Sequence, residues 1–180
     1  MRAFIAVDLP NEVREALAEV QRSLRPLTNA LRWVAPESIH ITLKFLGEVP
    51  DKRLDDIHAA LTGLTWKAFT ASVRGVGFFP GMRSPRVFWA GLEAPAMPAL
   101  AERLDARLEA LGFEKEKRAF RPHITLGRAR DTRIESALVT GATRYETRNF
   151  GSFLVDRFYL FKSTLKPSGA VYERLKEYSL

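Results

Sequence analysis

Cysteine is absent from this 180-residue sequence. Its absence excludes a disulfide framework and a thiolate metal site. Histidine is scarce, with three copies: His40, His58 and His123. Carboxylates are few around His40 and His123, with Glu37 and Glu48 flanking the first tetrad, so no obvious metal-ligand set is offered there and no metal or other cofactor is expected. No apolar run approaches the roughly 20 residues that cross a bilayer. The opening segment, MRAFIAVDLP, is too short for a secretory signal core and carries Asp8 too early, so it reads as a first strand. The expectation is therefore a cytoplasmic protein with no membrane partner. Negative charge is also in deficit: 28 Lys and Arg against 21 Asp and Glu give a net charge of +7. That balance suits a polyanion such as nucleic acid, although a soluble surface alone can account for it.

What the sequence does contain is a repeat. The tetrapeptide His-Ile-Thr-Leu stands at His40–Leu43 and again at His123–Leu126, a step of 83 residues from His40 to His123. The flanks repeat with it. Arg2–Val7 (RAFIAV) is matched by Arg86–Leu92 (RVFWAGL), with 84 residues between Arg2 and Arg86. Val13, Ala16, Leu17, Val20 and Leu24 fall at helical spacing, as do Met97, Leu100, Ala101, Leu104, Leu108 and Leu111. Pro26 closes the first of these helices, and Gly112 suits the position after the second. Leu54, Ile57, His58 and Leu61 mark another helix, with Arg133–Leu138 as its short counterpart. Phe69–Phe79 and Phe150–Phe161 read as matching aromatic strands, and a last strand is expected at about 171–176. Pro80–Pro85 is the clearest break in the chain. No domain boundary is placed there, because either half alone, at roughly 85 to 95 residues, would have a thin core. The sequence predicts one bilobal α+β domain over 1–180, with pseudo-repeats at about 1–80 and 86–165. Two antiparallel sheets with outer helices would be related by a pseudo-twofold axis around a central groove.

Side chains alternate across a strand, so His40, Thr42 and Lys44 share one face while Ile41, Leu43 and Phe45 share the other. His123 and Thr125 are set likewise against Ile124 and Leu126. The apolar set anchors each strand, and the imidazoles and hydroxyls face the groove. Two imidazoles titrate near neutrality, so one can carry a proton while the other lacks one, which is the requirement for acid–base work on a phosphodiester. The Thr42 and Thr125 hydroxyls would donate to the phosphate oxygens. Arg128 would clamp phosphate, but strict alternation turns it away from His123 unless a bulge or the strand end intervenes. Lys44 has the parity of His40 and also reads as a solvated rim charge. Phe45 reads as core rather than as a base-stacking platform. His58, on an apolar helical stripe, reads as structural. Arg83, Arg86, Arg118 and Arg121 either line a groove for RNA backbone or are solvated loop charges.

Two H-x-T-x tetrads half a chain apart, with RAFIAVDLP at the start, HITLKFLGEVP at the first tetrad and RPHITLGRAR at the second, resemble the 2H phosphoesterases. Within that superfamily they resemble the RNA 2′,3′-cyclic phosphodiesterases, also called 2′-5′ RNA ligases. The likeness runs from Arg2 to the C-terminal VYERLKEYSL. It implies metal-independent hydrolysis of an RNA 2′,3′-cyclic phosphodiester to a 2′-phosphomonoester, with His40 as proton donor and His123 as proton acceptor. It also implies reversible 2′-5′ ligation of RNA, tRNA halves included, by a protein expected to be a monomer. The residues leave two other readings open. One is a non-catalytic RNA-binding module. The other is a 2′-5′ oligonucleotide or small cyclic-nucleotide phosphodiesterase.

Overall fold

The apolar run at the start forms β1 (Arg2–Asp8), in which Ala3, Ile5 and Val7 point into the core. A computed structural model describes residues 1–130, 133–167 and 169–180, and β1 is the second strand of its first sheet. The chain continues through α1 (Asn11–Leu24), the short β2 (Leu31–Trp33), β3 (His40–Glu48), α2 (Leu54–Thr62) and β4 (Phe69–Phe79). The second half runs β5 (Val87–Glu93), α3 (Met97–Glu109), β6 (His123–Ala129), α4 (Ser136–Ala142), β7 (Asn149–Val155), β8 (Arg157–Lys166) and β9 (Gly169–Ser179). Each helix follows from its stripe: Val13, Leu17, Val20 and Leu24 of α1 are buried, as are Met97, Leu100, Leu104 and Leu108 of α3. Gly112 follows α3 with a φ of 85°, in the region glycine enters without steric cost.

The α+β architecture with two antiparallel sheets is as expected, but the sheets are not built one per half. The four-stranded sheet has the order β3-β1-β8-β9, and the five-stranded sheet β2-β6-β5-β4-β7. Strand β4, from the first half, pairs with β5 and β7 of the second; β8 and β9 return to pair with β1 and with each other. Helices cross over as well, α1 lying against β7 and α3 against β3. One contiguous apolar core runs under both sheets. This interlocking follows from burial: each sheet needs apolar cover, and the exchanged elements supply it from the opposite half.

Four local expectations change. The stretch Phe150–Phe161 is two strands, broken at Asp156 and placed in different sheets, because β7 pairs with β4 and β8 with β1. The short helix begins at Ser136, not Arg133. The last strand is longer than 171–176, spanning Gly169–Ser179 in a hairpin with β8. The equivalence between halves is a step of 83 residues, not the 84 that aligns Arg2 with Arg86. The pairs Phe4↔Phe45, Ile5↔Lys44, Ala6↔Thr42, Val7↔Ile41 and Asp8↔His40 of β1/β3 recur as Val87↔Arg128, Phe88↔Gly127, Trp89↔Thr125, Ala90↔Ile124 and Gly91↔His123 of β5/β6. The arginines that suggest the other alignment lie outside this ladder core.

Candidate active site

The two tetrads begin β3 and β6, and Cα atoms of these strands approach within 8 Å across the seam between the sheets. Within each tetrad the expected alternation holds. Ile41, Leu43, Ile124 and Leu126 are buried, and His40, Thr42, His123 and Thr125 are half-buried on the other face.

Both imidazoles are fixed in the same way. His40 Nδ1 donates to the Ser38 carbonyl at 2.7 Å, and His123 Nδ1 donates to the Arg121 carbonyl at 2.7 Å. A carbonyl oxygen can only accept, so the proton of each neutral ring sits on Nδ1 and Nε2 keeps a free lone pair. His40 Nε2 accepts from the Thr42 hydroxyl at 2.9 Å. Among the described residues Thr125 makes no matching bond to His123.

The surroundings of the two rings differ. His40 lies among aromatic rings: Phe4 at 4.8 Å between centroids, Tyr172 at 5.0 Å edge-on, and Phe161 at 6.3 Å. Burial in this nest holds the His40 pKa below its ordinary value, with the charges of Arg14 and Arg128 adding to the effect and the Ser38 carbonyl opposing it. Arg14 also donates to the carbonyls of Pro36 and Ile39 and pairs with Asp8, which ties the segment carrying the Ser38 carbonyl to α1. His123 has Phe79 edge-on at 5.3 Å, next to Trp89. The Trp89 ring lies over Gly77, where a Cβ would meet it at 2.4 Å, so only glycine fits beneath it.

Past the tetrads strict alternation fails; the expectations for Lys44 and Phe45 fail with it, and the bulge that Arg128 requires is present. In β1/β3 the register skips Leu43, and in β5/β6 it skips Leu126. Each is a bulge at the fourth residue of the tetrad, and each reverses the parity of the residues beyond it. Arg128 is therefore exposed on the His123 side, and its charge reaches His40. Lys44 does not share the face of His40. It is buried on the core side, where its ammonium pairs with Asp105 of α3 and donates to the Glu114 carbonyl at 2.7 Å. Phe45 is not core but 66% exposed on the groove face. Two apolar residues in succession, Leu126 and Gly127, carried a faint signal of the second bulge; the lysine in the first masked it.

The bulge in β6 is held by a residue the sequence did not single out. Buried Gln21 of α1 donates through Nε2 to the Leu126 carbonyl at 2.9 Å and to the Val34 carbonyl at 2.8 Å. A polar residue inside an apolar helical stripe was its only visible mark. His58 is half-buried on α2, with Nδ1 3.3 Å from the Tyr178 hydroxyl, away from the tetrads. Arg83, Arg86, Arg118 and Arg121 are all exposed. No cluster of metal-ligating side chains occurs among the described residues, and no described helix is long and apolar enough to cross a membrane.

Two interlocked sheets that bring paired H-x-T strands to one seam define the phosphoesterase class foreseen from the tetrads. The family model described as LigT-like phosphoesterase matches residues 7–89 and 93–172, and the chain belongs to that family. It is 37% identical to the RNA 2′,3′-cyclic phosphodiesterase of Archaeoglobus fulgidus over 98% of each protein. It is 40% identical to the protein of that name from Thermus thermophilus, over 100% of this chain and 90% of the relative. The crystal structure of Escherichia coli LigT complexed with 3′-AMP superposes with a TM-score of 0.80 at 29% identity, covering 99% of this chain and 97% of that one.

Proposed function

We propose that this phosphoesterase hydrolyses the 2′,3′-cyclic phosphodiester at an RNA end to a 2′-phosphomonoester, using His40 and His123 as acid and base. The observation that carries the proposal is the shared geometry of the two rings. Each is oriented by a backbone carbonyl two residues earlier, which leaves Nε2 as the ring atom for proton transfer, bonded to the Thr42 hydroxyl in His40. His123 Nε2 takes a proton from water as the oxygen attacks phosphorus. The P–O3′ bond breaks, and His40 Nε2 gives its proton to O3′. The products are a 2′-phosphate and a 3′-hydroxyl. Thr42, Thr125 and Arg128 donate to the non-bridging oxygens as charge builds on phosphorus. A ribose 5′-hydroxyl in place of water would give the 2′-5′ linkage by the same steps. The shared core supports a chain that works as one bilobal unit.

The lowered pKa of His40 favours a second assignment of roles. A neutral His40 whose unprotonated Nε2 accepts from the Thr42 hydroxyl meets the condition of a base, which would make His123 the acid. Under the first assignment the anionic substrate returns the proton to His40 by opposing its desolvation.

His40→Ala and His123→Ala should each lower kcat on a 2′,3′-cyclic phosphate by on the order of 10²-fold or more. Circular dichroism should show both variants folded. Near wild-type turnover in either would remove that histidine from the reaction. The pH–rate profile separates the two assignments: loss of the alkaline limb in His40→Ala makes His40 the donor, and loss of the acid limb makes it the base. Chromatography of the product must give a 2′-phosphate, and a 3′-phosphate would refute the choice of leaving oxygen.

A further inference from the structure

The 83-residue step that superposes the tetrads also equates β2 (Leu31–Trp33) with residues 114–116, which precede the second tetrad. The two segments do not close their sides of the groove in the same way. β2 forms a ladder with β6, and Val34 N adds a bond to the Leu126 carbonyl at 2.9 Å. The 114–116 segment forms no strand with β3. It is held at a distance by side chains: Lys44 reaches the Glu114 carbonyl, and the Asp105 carboxylate accepts from Glu116 N at 3.1 Å. Both anchors are buried, so the standoff is built into the core. A cavity of about 420 Å³ remains between the loop and β3, lined by Lys44–Gly47 and residues 113–118. Its volume falls in the range of small-molecule sites. Phe45 lies on its β3 side, 66% exposed, with its ring 6.1 Å from Phe4, which in turn packs at 4.8 Å against His40. Lys115, Lys117 and Arg118 stand on the loop side; the two lysines have exposed acidic partners, Glu109 and Glu114.

We propose that this cavity is a subsite for the nucleotide preceding the cyclic phosphate end of an RNA chain. Its base stacks on Phe45 and its phosphate meets Arg118 and Lys117. The aromatic ring offers a face that any base can use, and the loop, with Lys115, Lys117 and Arg118 against Glu114 and Glu116, keeps a net positive charge that suits a phosphodiester; single-stranded RNA is held in this way by other proteins. The chain of rings from His40 through Phe4 to Phe45 gives a continuous path from the reacting phosphorus to the subsite. A duplicated position, filled by a strand in one half and left open in the other, thus becomes an extension of the groove. The inference rests on the cyclic phosphodiesterase reading above and adds to it a preference for polymer over mononucleotide.

The test compares kcat/KM on adenosine 2′,3′-cyclic phosphate with that on a trinucleotide ending in the same group. In the wild type the trinucleotide should be preferred by about tenfold or more, the size expected of one stacked base. Phe45→Ala and Arg118→Glu/Lys117→Glu should each bring the ratio of the two values toward one, chiefly through KM on the trinucleotide. These side chains are exposed, so the variants should unfold like the wild type. A wild type without preference overturns the subsite. So do variants that keep the ratio, and so does Phe45→Ala lowering both substrates in equal proportion, which would place the terminal base on Phe45. If neither substrate is hydrolysed by the wild type, the underlying reading fails and not the subsite alone.

Discussion

The two tetrad strands share a backbone and differ in what stands around it. β3 and β6 carry the same four residues, the same carbonyl-to-Nδ1 bond and the same bulge at the fourth position. One residue beyond the bulge, β3 has buried Lys44 where β6 has Gly127; one further, β3 has Phe45 where β6 has Arg128. At Gly127 a Cβ would meet Leu31 Cδ1 at 3.3 Å and the Arg32 carbonyl at 3.4 Å, because β2 packs there. At Lys44 no strand intervenes, and the ammonium spans the gap to Asp105 and the loop. The proposed catalytic pair lies in what the two halves share, and the proposed contacts to base and phosphate lie where they differ. On this reading symmetry serves proton transfer, and asymmetry serves recognition.

The largest expected effect falls on Lys44. Asp105→Ala leaves a buried ammonium unpaired and should cost about 3–5 kcal/mol in urea unfolding, whereas the double change Lys44→Met/Asp105→Leu should cost much less. If the single change costs under about 1 kcal/mol, the ion pair does not hold the β3 side as described. Next comes Arg128. Arg128→Ala should lower kcat/KM by about 10-fold or more, with Arg128→Lys recovering part of the loss, since lysine supplies the charge without the two-pronged geometry. Equal activity in wild type and Arg128→Ala would mean that the two post-bulge positions are not divided in function. The smallest effect concerns stability against pH. His40 has a folded-state pKa below the ordinary value of 6.5, so the unfolded chain takes up the proton first. Its contribution is present above pH 6.5 and is lost as pH falls from 6.5 toward the folded value. His40→Asn should flatten that part of the stability curve relative to wild type, as measured by urea midpoints. An unchanged slope would show that the aromatic nest does not desolvate the ring.

Much of the fold is legible in the sequence. Helix stripes in α1 and α3 and the strands β1, β3 and β4 follow from periodicity, because burial selects side chains at the repeat of the element. The exchange of strands between halves is not legible in the same way. Phe150–Phe161 looks like one aromatic strand, since a residue such as Asp156 between two apolar runs does not reveal that the runs enter different sheets. The faces of Phe45, Lys44 and Arg128 come from counting in twos, and a single bulge reverses that count.

The sequence alone determined the repeat, the paired His and Thr on one face of each strand, and the class of chemistry two such imidazoles can perform. Those properties are local: they depend on spacing along one strand. Only the tertiary structure decided which strands pair, where parity reverses and which side of the groove stays open. Those outcomes depend on contacts between residues far apart in the chain, such as Gln21 with the Leu126 carbonyl and Lys44 with Asp105, and burial energy is settled between surfaces, not along a segment.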